Sequence, residues 1–359
     1  EKEIKYFQIL CVCGPALLIA SGFSSMYGGR GETWVVMIVD AVASVVNLVL
    51  DYLWIFGYAG FPAAGIVGAG WATVAAMWLK VVIYLVLVLQ RSHREQFNTL
   101  GFQLDRDLFG RLLYFGGPSG FQMLLDVSGF TIFIVLVGKI GSMEQEAMSM
   151  AFSVNTVAFM PIFGMGMAAA ILVGQHLGEN RDDLAACATR TSLEVSVVYI
   201  GFIAALYVLT PDLFLTGFFP GDGQMSADET ALYNMTVNLM LFVAAYSLLD
   251  AVQMIYVSAL KGAGDTQFVL RASLVLATVF ALATWLAVEV WKLNVYGCWT
   301  IVTAWICLMG VVYWLRYLNG NWRKMRVIEQ KHLGVMDDDT PPAMPLEESP
   351  VVEPATSEV

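Results

Sequence analysis

Nine stretches of this chain stay apolar for about twenty residues or more, and that constrains the fold more than any other feature. They cover about 4–23, 34–57, 63–90, 112–137, 147–173, 187–210, 232–259, 268–291 and 295–318. A hydrocarbon core about 30 Å thick is crossed by about 20 apolar residues in helix. Backbone groups in lipid must satisfy their own hydrogen bonds, which leaves helices and closed barrels. The runs are continuous rather than alternating, which argues against a barrel. Charged residues make up 14% of the 359, against roughly 25% in soluble domains. The pattern predicts an all-α polytopic membrane protein with little room for a soluble domain.

The net charge of −11 is unevenly placed. Residues 337–358 hold Asp337, Asp338, Asp339, Glu347, Glu348, Glu353 and Glu358, interleaved with five prolines. Such a segment cannot bury a core, and 321–359 is expected to be a disordered acidic tail. The membrane part is closer to neutral, so the charge does not point to nucleic acid. If the 24–33 loop is cytoplasmic, fourteen of the 19 Lys and Arg fall on the cytoplasmic side. Lys2, Lys5, Lys139 and Lys292 fall on the other. That bias predicts a cytoplasmic C-terminus. The five cysteines form no CxxC pair, and His93, His176 and His332 lie outside the apolar runs. There is no GxxxxGK[ST] loop for ATP and no catalytic set, so no enzyme is expected and no organic cofactor.

Two carboxylates stand near the middle of apolar runs, Asp126 in 117–137 and Asp250 in 232–259. A charge at the bilayer centre costs at least about 2.5 kcal/mol, so each is a candidate functional site. Ser119, Gln122, Asp126 and Gly129 recur at helical spacing and share one face. Two readings stay open: a polar stripe facing a cavity, or a structural Asp satisfied by a neighbouring helix. Tyr246, Asp250 and Gln253 form a second stripe. A phenol one turn from a carboxylate suits a hard cation, which takes oxygen ligands. Asp40, Ser44, Asn47 and Asp51 form a third; Asp40 could also simply reach the interface. Lys80 either snorkels or faces a cavity. Arg190–Glu194 and Glu289–Lys292 read as interfacial ion pairs. The Met-rich run holding Met148, Met150, Met160, Met165 and Met167, with Asn155 beside them, reads either as an adaptable drug-binding wall or as lipid-facing filler. Pro161 should kink that helix.

An internal echo joins two turns. Gly29-Arg30-Gly31-Glu32-Thr33 recurs 233 residues later as Gly262-Ala263-Gly264-Asp265-Thr266. Both lie between apolar runs on the predicted cytoplasmic side. Repeated halves are a known transporter architecture.

Residues 47–57 (NLVLDYLWIFG) with 65–73 (GIVGAGWAT) resemble the fifth and sixth helices of the multidrug and toxic compound extrusion (MATE) family. Residues 118–130 (PSGFQMLLDVSGF) resemble its seventh helix, and 173–179 (VGQHLGE) the loop after its eighth. Residues 246–253 (YSLLDAVQ), followed by 260–265 (LKGAGD), resemble its tenth. The resemblance, closest to the NorM-like branch, implies twelve helices in two six-helix lobes. The nine runs then correspond to helices four to twelve. Helices one to three are expected to be missing, in keeping with a chain that opens on Glu1 rather than Met.

The implied organisation is a partial N-lobe at 1–95, a cytoplasmic interlobe loop at 96–110, a C-lobe at 111–320 and the tail. The implied activity is antiport, with organic, mainly cationic or amphipathic compounds exported from a bacterial inner membrane by a monomer in exchange for Na⁺ or H⁺. The resemblance places a C-lobe cation or proton site at Asp126, Asp250 and Tyr246. It places an N-lobe site at Asn47, Asp51 and Thr73, whose other acid belongs to helix one. Gln122, Gln253 and Asn155 are the cavity-lining candidates. Asp126 and Asp250 are expected to face one C-lobe cavity as a pair. Alternatives are a flippase of lipid-linked oligosaccharides from a related branch, or a truncated protein that does not transport. The deep charges are mostly acidic, which favours cationic cargo.

Overall fold

A computed structural model describes residues 2–58, 63–90, 105–219 and 226–325. Most of the predicted interlobe loop, and the tail beyond residue 325, lie outside the described residues. Those that are described fold into helices without strands. In chain order these are α1 (Lys2–Cys11), α2 (Cys13–Gly29), α3 (Thr33–Phe56), α4 (Ile66–Val88), α5 (Arg106–Gly138), α6 (Ser142–Gly178), α7 (Asp182–Leu209), the short α8 (Pro211–Leu215), α9 (Ala227–Gly262), α10 (Thr266–Trp285) and α11 (Val295–Leu318). A π-turn at Leu286–Val290 extends α10, and a 3₁₀ turn at Asn321–Lys324 follows α11. With α1 and α2 counted together, nine of these units are long and apolar enough to cross a bilayer.

Several helices outrun their apolar stretches. α5 has 33 residues, about 50 Å at 1.5 Å per residue, well beyond the hydrocarbon core. It starts at Arg106, inside the segment predicted as loop. Asp105 explains the early start, since its carboxylate accepts hydrogen bonds from the backbone N–H of Asp107 and Leu108. α9 opens with a capping box between Ser226 and Glu229. Both α5 and α6 run on through an internal proline, Pro118 and Pro161.

The helices pack in two groups. In the first, α4 is the hub and contacts α1, α2 and α3. Its core holds Ala16, Tyr27, Val39, Val81 and Tyr84. In the second, α9 is the hub, flanked by α6, α7 and α11, while α10 packs on α5. That core includes Phe133, Met148, Tyr207, Leu239, Phe280 and Trp299. A second cluster forms around Leu260, Val269, Tyr313 and Trp322. Large apolar side chains remain exposed around the whole periphery, among them Leu48, Leu112, Val157 and Val198, as suits helices whose outer solvent is lipid.

The internal echo is real in three dimensions. Glu32 N–H bonds to Tyr27 O at 3.0 Å, and Asp265 N–H to Leu260 O at 2.9 Å. Gly31 N–H bonds to Gly28 O and Gly264 N–H to Lys261 O, each at 3.0 Å. Gly31 and Gly264 both take positive φ, 79° and 92°, a conformation that glycine adopts without steric cost. The two turns therefore share one backbone device at the same offset. The end of α6 lies against both. Gln175 Nε2 donates to Gly29 O at 2.6 Å, and Gly174 crosses close to the Gly262 carbonyl. Small residues permit this backbone approach, the usual solution between helices in lipid.

Candidate functional site

The second group carries Asp126 and Asp250 on different helices with different company. On α5, Gln122 is buried and its amide donates to Asp126. The Asp126 Oδ1 atom is buried without a hydrogen-bond partner, as is Gln122 Oε1. The ammonium of Lys261, on the last turn of α9, lies within electrostatic reach of Asp126. So does Tyr313 of α11, whose hydroxyl shares a 2.7 Å hydrogen bond with Ser273 of α10. Gly129, one turn further along α5, meets Phe280 and Ala277. The predicted stripe thus turns towards α10 and α11.

On α9, Tyr246 is buried and stands one turn from Asp250. The Tyr246 ring lies 6.5 Å from Trp299, centroid to centroid, and its hydroxyl is within electrostatic reach of Asp250. Asp250 is hemmed in yet keeps part of its surface open. Among the described residues it has no hydrogen-bond or ion-pair partner, and no such link joins it to Asp126. Asp126 thus has Gln122 as its hydrogen-bond partner and Lys261 within electrostatic reach, whereas Asp250 has Tyr246 one turn away on its own helix. Gln253 backs onto Gly310 of α11, and Asn155 is half-buried on α6. Met148 is buried, whereas Met160 and Met167 are exposed.

The first group brings Asn47 and Thr73 together. Both line a cavity of about 200 Å³ between α3 and α4, with Asp40, Ser44, Met77 and Lys80. The Thr73 hydroxyl donates to Ala69 O at 3.0 Å, so its oxygen lone pairs stay available. Asp51 sits one turn from Asn47 and does not line this cavity. Its Oδ1 and the Asn47 Nδ2 are both buried without hydrogen-bond partners. A larger hollow of about 420 Å³ lies on the surface at the start of α5, by Arg106 and Tyr114, away from all these acids.

Lys80 neither snorkels nor stands alone: its Nζ lies 2.5 Å from Asp40 Oδ1. That partner was readable in principle. Asp40 is seven residues into α3 from Thr33, and Lys80 is eight residues before the end of α4 at Val88. Antiparallel neighbours of matching depth face each other. Lys261 has no comparable signal, because its approach to Asp126 depends on how α9 is placed beside α5. With Lys80 and Lys261 among the acids, the interior is less negative than the sequence suggests. At the other end of the helices, Glu289 bonds Lys139 of α5 at 2.6 Å, with Lys292 further off at 3.9 Å. The local pair read from sequence is thus the secondary one. Arg190 and Glu194 do pair, at 2.7 Å.

Residues 118–285 match the MatE family model. Over that segment the chain is similar to the MATE family. It is 25% identical over 285 residues to the multidrug resistance protein NorM of Vibrio vulnificus, covering 79% of this chain and 61% of that protein. It is 28% identical over 278 residues to a probable multidrug resistance protein NorM of Mannheimia succiniciproducens, covering 76% and 57%. The chain therefore spans about 60% of the length of the curated relatives it matches. A eukaryotic MATE transporter superposes with a TM-score of 0.77 at 18% identity, over 89% of this chain and 69% of that one. A multidrug resistance MATE family transporter in an outward-facing conformation gives 0.76 at 17%, over 90% and 69%. The all-α, multi-pass MATE fold read from the sequence is thus the fold of this chain.

Proposed function

We propose that this chain works in a MATE-type secondary antiporter that exports organic, mainly cationic and amphipathic compounds in exchange for Na⁺ or H⁺. The observation that carries the reading is the state of the membrane-depth carboxylates. Asp126 and Asp51 each keep a buried oxygen without a hydrogen-bond partner, and Asp250 has no polar partner except the nearby Tyr246 phenol. Oxygens left in this state are costly in an apolar interior unless a proton or cation completes them. They fit either coupling ion: Asp250 with the Tyr246 oxygen, Asp126 with the Gln122 carbonyl, and Asp51 with the Asn47 carbonyl could each donate oxygens to Na⁺. Coupling requires the ion and the cargo to prefer different conformations of the two helix groups. The NorM names of the bacterial relatives support multidrug cargo and a bacterial inner membrane, and the distribution of Lys and Arg supports a cytoplasmic C-terminus.

The test uses the protein in vesicles loaded with an ethidium-like dye, with Na⁺ and pH gradients imposed separately. Efflux should follow one gradient, and Asp250→Asn should abolish it. Undiminished efflux by Asp250→Asn would remove the basis of the assignment.

A further inference from the structure

We propose that the end of α6 is a latch between the two helix groups, closed when Gln175 donates to the first repeated turn and released when that hydrogen bond breaks. Two neighbouring stripes on α6 carry the inference. Ala170 and Gly174 lie one turn apart on one face and cross Gly262 of the second turn. Ile171 and Gln175, displaced by one residue, meet Gly28 and Gly29 of the first. Gly29 and Gly262 are the equivalent residues of the two repeats. One helix end thus engages the same position in both.

The two crossings differ in strength. At Gly262 backbone meets backbone, and an added Cβ would run into the Ala170 carbonyl. Beside that stripe, Val173 and Leu177 are buried in the core that holds Leu260. Close packing fixes this side. On the other side, an added Cβ at Gly29 would meet nothing within 4 Å, and Ile171 reaches Gly28 only with the tip of its side chain. The half-buried Gln175 amide bridges the gap to Gly29 O at 2.6 Å. Among the described residues each buried core cluster lies within one helix group, so no shared core resists parting here. One hydrogen bond has a modest net worth, enough to bias an equilibrium and too little to lock it. The inference deepens the proposed function and rests on it in one respect: an antiporter must open its interior on the predicted cytoplasmic side, where both turns lie.

The experiment places spin labels at Ser25→Cys on α2 and Asp183→Cys at the start of α7, both exposed positions, with the five native cysteines replaced by Ser. Double electron–electron resonance in nanodiscs, with no gradient and no cargo, reads the distance between the labels. The closed arrangement gives a short component and the released one a longer component. Gln175→Ala should raise the ratio of long to short by about fivefold, the net worth of one hydrogen bond. Gln175→Glu keeps the length but, when ionised, only accepts, so it should open the latch at least as far. Gln175→Lys still donates and should stay within about twofold of the native ratio. The proposal is overturned by Gln175→Ala leaving the ratio unchanged, by Gln175→Glu keeping the native ratio, or by Gln175→Lys opening as far as Gln175→Ala. The Glu and Lys variants separate a lost donor from a general loosening of α6. Because distance and not efflux is read, failure here is separate from failure of the efflux test.

Discussion

Arg316→Met should destabilise the protein sharply, because it strands a buried carboxylate. Arg316 Nε bonds Asp265 Oδ2 at 2.7 Å, with 6% of the Asp265 side chain and 20% of the Arg316 side chain exposed. The guanidinium also sits 4.5 Å from the centroid of the Phe268 ring. The pair ties the second repeated turn to the end of α11. Methionine keeps much of the length and packing while removing the charge, so the change isolates the electrostatic part. Removing one partner of a buried pair costs about 3–5 kcal/mol; the residual exposure of Arg316 argues for the lower end, about 3 kcal/mol. For chains above about 150 residues, 1 kcal/mol shifts Tm by about 2–4 °C, less as length grows. A fall of roughly 6 °C follows, read as the apparent Tm of purified protein in detergent. The double variant Arg316→Met/Asp265→Asn should recover most of the loss, since it leaves no lone charge. A single-variant shift under about 2 °C, or a double variant as unstable as the single one, would refute the reasoning.

Three further outcomes follow from other contacts. A Cβ at Gly262 would lie 2.8 Å from Ala170 Cα and 2.9 Å from its carbonyl carbon; Gly262→Ala should cost about 1–3 kcal/mol by overpacking, visible as a lower apparent Tm, and an unchanged Tm would mean that this crossing is looser than described. A Cβ at Gly28 would lie 3.6 Å from Ile171 Cδ1, so a Gly28→Cys/Ile171→Cys pair, with the five native cysteines replaced by Ser, should cross-link with a short bis-maleimide. Its failure to do so would place the two helix groups differently. Arg190→Ala should leave the apparent Tm within about 1 °C, because exposed ion pairs contribute little; a large drop would assign Arg190 a role beyond its partner Glu194.

Sequence reading found the helices but not all of their ends. Apolar length marks where lipid must be crossed, so the run at 112–137 was plain. The true start of α5 at Arg106 depends on a cap, and Asp105 announces it only once the helix direction is known. The candidate acids were legible because any charge in such a run stands out. Their partners were harder. The spacing of Tyr246 and Asp250 is local to one helix and was visible. Lys261 and Tyr313 reach Asp126 from α9 and α11, far along the chain, and nothing in local spacing encodes that approach.

The sequence by itself determined the solvent this protein lives in, the number of crossings among its apolar runs and the existence of two matching turns. Those properties depend on residue type and on hydrogen bonds within a few residues. Only the tertiary structure decided that Lys261 and Tyr313 come within electrostatic reach of Asp126, that Lys80 pairs with Asp40, and that the end of α6 lies against both turns. Helix formation in lipid is settled within each segment, but which faces meet is set by close packing between segments, and the glycines and small residues at those crossings take their meaning from the helix on the other side.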